Sequence, residues 1–291
     1  MKSLEQYTTE LRSFISGLQV ASTNPENWPK LTIITPSYNQ ADFLERTILS
    51  VLNQNYPNLE YIIIDGGSTD HSVEVIKKYE KHLAYWVSEK DRGQVHAINK
   101  GLERATGKYI GFQNSDDVYF PGTFQRFGEA ARQADSDIIY GDLFMISTTD
   151  EVIEILKTTS YSFTAQVLEG MQIHNQTLFF KNTLVKEFGK FDESYHFAFD
   201  YEFITRYTAS PKTSVRKVEG LGGALRIHAD AKSSNIAPLG KKEHAKIKEL
   251  YISMIGSPSL NKLKYLWCRF RKIAYFIFKF DFKYISYRLS K

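Results

Sequence analysis

Three short apolar runs constrain this chain most: LTIIT at 31–35, YIIID at 61–65 and YIGF at 109–112, each stopping abruptly in a polar turn. Runs of this length, rich in Ile and Tyr, read as buried strands. The intervals between them suit helices. One is predicted from about Asp42 to Gln54, with Asp42 and Glu45 placed as a capping box. A second starts from a Ser68 or Thr69 cap and runs through about Lys81. A short strand at Tyr85–Ser88 and a helix over Val95–Ala105 continue the alternation. Strands alternating with helices of this length form βαβ units, so the expected fold is α/β with a mostly parallel sheet. After Asp117 the pattern changes. A helix at Thr123–Gln133 leads to a strand at Asp137–Tyr140, and Leu143–Ile146 and Val152–Leu156 alternate around STTDE as an antiparallel hairpin would. The sheet is therefore expected to be mixed.

The strand ends carry the polar chemistry. The first runs into Pro36-Ser37-Tyr38-Asn39, the second into Asp65-Gly66-Gly67-Ser68, and the fourth into Asn114-Ser115-Asp116-Asp117. In open α/β sheets, ligands bind outside the carboxyl ends of the strands. Two adjacent carboxylates repel each other unless something positive joins them, and a hard divalent cation carrying phosphates would serve. A solvated turn with Asp as a helix cap accounts for Asp116 and Asp117 equally well, because Pro121 and Gly122 follow closely. Asp65 can accept hydrogen bonds from a base or ribose, or simply mark a helix entry.

Composition narrows the class. Nine Lys or Arg against one Asp fall within 262–291, so the remainder of a chain of net charge +4 is mildly acidic. Bulk charge thus gives no case for nucleic-acid binding. MKSLEQYTTELRSF lacks the apolar core of a secretion signal, and no segment holds about 18 uninterrupted apolar residues. A single Cys268 fits a reducing compartment, so the expected location is the cytoplasm.

The ordered segments TPSYNQADFLERTILSVLNQNYPNLEYIIIDGGSTD and DRGQVHAINKGLERATGKYIGFQNSDD resemble the family 2 glycosyltransferases, and the likeness extends over about residues 31–230. The resemblance implies a GT-A-type, Rossmann-like mixed sheet flanked by helices, in an inverting, non-processive enzyme. It implies that Pro36, Tyr38 and Asn39 line the nucleotide pocket, that Asp65 binds the base, and that Asn99, Gly101 and Asp91 lie near the nucleotide-sugar. It further implies that Asp117 coordinates Mn²⁺ or Mg²⁺ on the diphosphate while Asp116 contacts ribose or donor sugar. In GKFDESYHFAFDYEFITRY the catalytic base would be Asp200, although Phe199 stands where the family often has Glu, which leaves Glu202 and Asp192 in contention. His228, in LRIHADAKSS, would supply an imidazole to the metal or diphosphate, with Arg226 beside it. His174 and Gln176 would face the acceptor or pack structurally.

Three parts are expected: a helical extension at 1–30, the GT-A domain at 31–240, and a helical basic and aromatic tail at 241–291. In the first, Leu4, Tyr7, Leu11, Phe14, Ile15 and Leu18 recur at helical spacing before Asn24, Pro25 and Pro29 break the helix; it would pack on the body or join two copies in a homodimer. In the tail, Leu263, Leu266, Trp267, Phe270, Ile273, Ile277, Phe280 and Tyr284 recur every three or four residues among Lys and Arg. That is the pattern of a basic helix in a membrane interface, or of a terminal helix packed on the core. The expected activity is transfer of one sugar from a nucleotide-sugar, UDP-linked by the resemblance, to a hydroxyl of a glycan or lipid-linked acceptor at the inner membrane face, in surface polysaccharide synthesis. A sugar-1-phosphate nucleotidyltransferase is the alternative, but the turn PSYNQ lacks its phosphate-loop glycines. A non-catalytic nucleotide-sugar-binding protein is the other.

Overall fold

The computed structural model describes residues 2–19, 27–229 and 237–289. The breakers Asn24 and Pro25, and the residues from Asp230 that follow His228, lie outside them. Among the described residues one mixed sheet of nine strands forms the centre. Strands β1 (Leu31–Ser37), β2 (Leu59–Asp65), β3 (Tyr85–Ser88) and β4 (Tyr109–Phe112) are parallel, in the spatial order β3-β2-β1-β4. Their register sets Ser37 opposite Asp65 and Asp65 opposite Ser88, so three polar side chains end level at one edge. The intervening helices are α2 (Ala41–Leu52), α3 (Ser72–Lys78) and α4 (Gln94–Arg104).

Beyond β4 the sheet turns mixed, as the hairpin pattern predicts. The predicted strands at Asp137–Tyr140 and Leu143–Ile146 are one continuous strand, β6 (Ile138–Ile146), which pairs antiparallel with β7 (Val152–Leu156). Two strands have no counterpart in the sequence reading, β5 (Val118–Tyr119) and β9 (Val215–Arg226). Strand β9 runs parallel to β6 and passes it so closely that a Cβ on Gly141 would lie 1.9 Å from the Leu221 carbonyl oxygen. A Cβ on Gly223 would meet the Gln176 carbonyl at the same distance. Glycine is required there for backbone contact, and that composition hides the strand.

Two predicted caps differ. Helix α2 begins at Gln40 without a side-chain cap of its own; its first amide, Ala41 N, donates to Asp70 Oδ2 at 3.0 Å. Asp70 Oδ1 also accepts from Ser72 N at 2.9 Å, so one carboxylate serves the starts of α2 and α3, and Ser68 is drawn to Asp65 instead. Such a carboxylate also meets the positive ends of both helix dipoles.

Apolar side chains cover both faces of the sheet. On one face α2, α5 (Thr123–Gln133) and the leading helix α1 (Leu4–Phe14) enclose Ile33, Ile63, Phe127 and Phe179. On the other, α4, α7 (Asn182–Phe188), α8 (Phe199–Thr208) and α9 (Ala237–Tyr251) enclose Phe112, Phe180 and Phe203. Each fully buried side chain of this size contributes roughly 1.5–3 kcal/mol. The leading helix thus packs on the body, with Leu11 buried and Arg12 donating to the Thr149 carbonyl oxygen at 2.8 and 3.0 Å.

The tail is two helices, α10 (Asn261–Phe278) and α11 (Phe282–Leu289). They rest against β7 and α6 (Phe163–Glu169), with Cys268 and Tyr284 buried at the seam. Ion pairs join Lys272 to Glu169, Lys157 to Asp281 and Arg288 to Glu154. Of the predicted apolar stripe only Tyr284 turns inward. No helix among the described residues is long and apolar enough to cross a membrane.

Candidate active site

The carboxyl edge of the sheet opens into a cleft of about 940 Å³. Pro36, Tyr38 and Gly66 wall one end, Asp116 and Asp117 the floor, and Asp200 and His174 the other end. That volume falls in the range of small-molecule sites.

The two acids at the end of β4 differ in situation. Asp117 is wholly buried, and its carboxylate accepts from Gln176 Nε2 at 2.8 Å, Asn114 Nδ2 at 3.0 Å and Arg226 N at 2.9 Å. Burial, then the Asp116 charge alongside, holds its carboxyl well above the ordinary range. Asp116 is partly exposed, and its Oδ2 lies 3.0 Å from His228 Nε2. Asp116 is therefore the more exposed of the two, and the expected metal ligand Asp117, although buried, lines the cleft as well. Beside the pair lies Arg226, fully buried, which donates from Nε to the Asp116 backbone carbonyl oxygen at 2.7 Å and pairs with the Asp150 carboxylate at 2.6 Å. Its guanidinium lies 5.0 Å from the Phe43 ring centroid, which supports a desolvated cation.

At the β1 end Tyr38 is 60% exposed and lines the cleft with Pro36. Asp65 is placed otherwise. Its buried carboxylate accepts from the amides of Gly67 and Ser68 and from the hydroxyls of Ser68 and Ser88, at 2.5–3.1 Å. It holds the Gly66–Ser68 turn from behind, and Gly66 and Gly67 form the wall. Asn39 adopts φ 51° and ties the two loops, accepting from Thr69 N and donating its own amide to Ser68 Oγ, without lining the cleft. Asp91 lines it and accepts from Gly93 N at 2.7 Å.

Two residues expected near the donor have scaffold positions instead. Asn99 is buried and bonded both ways to the Phe191 backbone, giving Nδ2 to O at 2.9 Å and taking N at 3.1 Å. Gly101 lets α4 lie against β1, since a Cβ there would meet Ile34 Cγ2 at 2.5 Å.

Of the three acids in contention as base, Asp200 alone lines the cleft. Glu202 is buried and forked onto Arg206 at 2.7 and 3.0 Å, and exposed Asp192 accepts from Ser194 N. Burial pushes the Asp200 carboxyl up to about 7, against the opposing bond from Tyr201 N. A carboxylate tuned this way is suited to accept a proton near neutral pH. His174 also reaches the cleft, and burial followed by the Lys272 charge lowers its imidazole to about 4. Met171, Asn175, Phe197 and His244 complete this end and were not singled out from sequence. His244 stacks on Tyr201, ring centroids 4.5 Å apart, a pairing across 43 residues of sequence with no local signal.

Strand-end acids, close glycine turns and a deep cleft at the carboxyl edge of a mixed sheet define a GT-A-type nucleotide-sugar transferase. Residues 32–199 match Glycosyl transferase family 2. An uncharacterised glycosyltransferase of Haemophilus influenzae is 30% identical over 72% of this chain and 84% of its own. TuaG of Bacillus subtilis, a candidate teichuronic acid biosynthesis glycosyltransferase, is 45% identical over 32% of this chain and 38% of its own length. In solved structures, residues 1–349 of S. aureus TarS with UDP-GlcNAc superpose with TM-score 0.60 at 18% identity, over 81% of this chain and 69% of that one. The mannosyltransferase PcManGT of Pyrobaculum calidifontis, with GDP-Man and Mn²⁺, superposes with TM-score 0.56 at 18% identity, over 90% and 75%. The chain belongs to glycosyltransferase family 2 and is a glycosyltransferase using a nucleotide-sugar donor.

Proposed function

We propose that this enzyme moves one sugar, with inversion, from a UDP-linked donor to a hydroxyl of a glycan or lipid-linked acceptor. One observation carries this reading: Asp200, tuned to accept a proton near neutrality, and Asp116, backed by the buried His228 at 3.0 Å, line the same cleft. At the wall by Tyr38 the Asp91 carboxylate packs against Gly66, where a Cβ would meet it at 2.8 Å, so the base and ribose would lie between the glycine backbone with Asp91 and the ring of Tyr38. Among the described residues no three His, Cys, Asp or Glu side chains gather into a metal cluster. Mn²⁺ or Mg²⁺ would therefore be held by the Asp116 carboxylate together with the donor's own diphosphate oxygens, with the His228 imidazole beside Asp116 and with Asp117 fixing Asn114, Gln176 and the Arg226 amide. A cation bound there would neutralise charge on the departing diphosphate.

The chain's own residues then divide the work. Asp200 takes the acceptor hydroxyl proton as the oxygen bonds to the anomeric carbon. The bond from that carbon to the diphosphate oxygen breaks, and its electron pair leaves on the nucleoside diphosphate. Neutral His174 and the face of Phe197 hold the acceptor without competing for that proton. Surface polysaccharide assembly at the inner membrane face is the proposed setting, supported by the likeness to TuaG. Purified enzyme with UDP-sugars, a lipid-linked glycan acceptor and Mn²⁺ should release UDP and give a product of inverted anomeric configuration. Retention of configuration, or release of pyrophosphate, would reject the reading.

A further inference from the structure

The outer face of α10 is apolar where its inner face already packs. Successive helix residues turn about 100°. Cys268, Lys272 and Tyr275 fall on the side facing the body, and Leu263, Leu266, Trp267, Phe270, Ile273 and Ile277 on the opposite side. Leu263 and Trp267 are 63% and 62% exposed, and Phe278 and Phe280, at the turn into α11, are each 81% exposed. A contiguous patch of this kind on a folded body marks an interaction surface.

The charges around it identify the occupant. The cations of the tail fall into two sets. Arg271, Lys272, Lys279 and Arg288 reach Ser160, Glu169, Glu219 and Glu154, and Lys264 reaches the Ile255 and Ser257 carbonyl oxygens, so these five are engaged. Lys262, Arg269 and Lys283 are exposed, and no bond or ion pair engages them among the described residues. Residues 261–280 contain no Asp or Glu. We propose that this face docks on an anionic lipid bilayer, with the Trp267–Phe270–Phe278–Phe280 ridge in the headgroup–acyl boundary and the three free cations on anionic headgroups. A second copy of the chain fits less well, because a two-fold contact through this patch would bring each set of cations toward its own image. The helix that carries the patch is anchored through its inner face beside the cleft: Lys272 pairs with Glu169, just ahead of the Met171 and His174 wall. A lipid-linked acceptor in the bilayer would approach the cleft from that side.

Flotation of the full chain with vesicles tests this without turnover, so docking and the proposed reaction stand or fall separately. The chain should float with phosphatidylglycerol–phosphatidylcholine vesicles and stay in solution with phosphatidylcholine alone. Exchanging Lys262, Arg269 and Lys283 for Gln should lower partitioning about a hundredfold. Trp267→Glu with Phe270→Glu should abolish it, with far-UV circular dichroism matching wild type. Should that variant misfold, wild-type flotation in rising salt decides: binding indifferent to salt overturns the proposal. Equal flotation on neutral vesicles also overturns it, as does a micromolar dimer that Trp267→Glu converts to monomer.

Discussion

Glu243 grips the segment that leads into the helix carrying Asp200. Its carboxylate accepts three backbone N–H bonds, from His196 and Phe197 at 2.9 Å and from Ala198 at 2.7 Å, directly ahead of the proposed base. Burial works against that charge, yet the three donors outweigh it and hold the carboxyl below the usual range. As a positioning residue, Glu243 should affect kcat more than KM when lost. Glu243→Ala should destabilise the fold by about 1–3 kcal/mol and lower kcat, and Glu243→Gln should recover part of both. Denaturant melts beside steady-state kinetics check this; a change confined to KM would refute it. The stabilisation is present above the unfolded carboxyl value and is lost as pH falls through the lowered native one.

Asp200→Asn should separate activity from stability. Transfer should fall by about 10²–10⁴-fold if Asp200 is the base. The native carboxyl near 7 is raised, so its protonated form suits the fold, and that contribution is lost as pH climbs from about 4 through about 7. The amide removes the charge, so the Asp200→Asn variant should melt higher than wild type at pH 8, by an amount on the order of 1 kcal/mol, and equally at pH 4. Thermal melts at the two pH values test the sign.

The unequal acids at the end of β4 predict unequal mutants. Asp116→Ala should erase Mn²⁺-dependent nucleotide binding by calorimetry with little change in melting temperature. Asp117→Ala leaves the donors of Gln176, Asn114 and Arg226 facing an empty buried space, and should cost about 2–5 kcal/mol of stability. If Asp117→Ala instead melts like wild type and loses only metal-dependent binding, the roles belong the other way round.

Gly101→Ala should destabilise by about 1–3 kcal/mol by pushing α4 off Ile34 of β1. Urea titration measures that loss. A rise in the KM for the donor at unchanged stability would return Gly101 to the nucleotide pocket.

The parallel half of the fold was legible because β1, β2 and β4 are buried on both faces and their apolar runs are unbroken. Strand β9 was not, because contact with the Gln176 and β6 backbones demands the glycines that make GLGGALR look like a loop. The acids in the cleft could be named from sequence, but which of Asp116 and Asp117 is the more exposed could not. That depends on Gln176 and Arg226, which reach Asp117 from 59 and 109 residues away. Asp65 and Asn99 were read as ligand contacts since a polar side chain at a strand end or helix face has the same sequence signature whether it faces solvent or backbone. His244 had no signal, because its stacking partner Tyr201 lies on another helix.

The turn between β6 and β7 is gripped from two directions. Arg12 of the leading helix holds Thr149, and the adjacent Asp150 holds the guanidinium that also braces the Asp116 backbone. A strut therefore runs from the leading helix to the floor of the cleft through three side chains. Trimming the leading helix to obtain a tidier catalytic fragment would slacken that strut, and the damage would surface at the acids rather than at the cut.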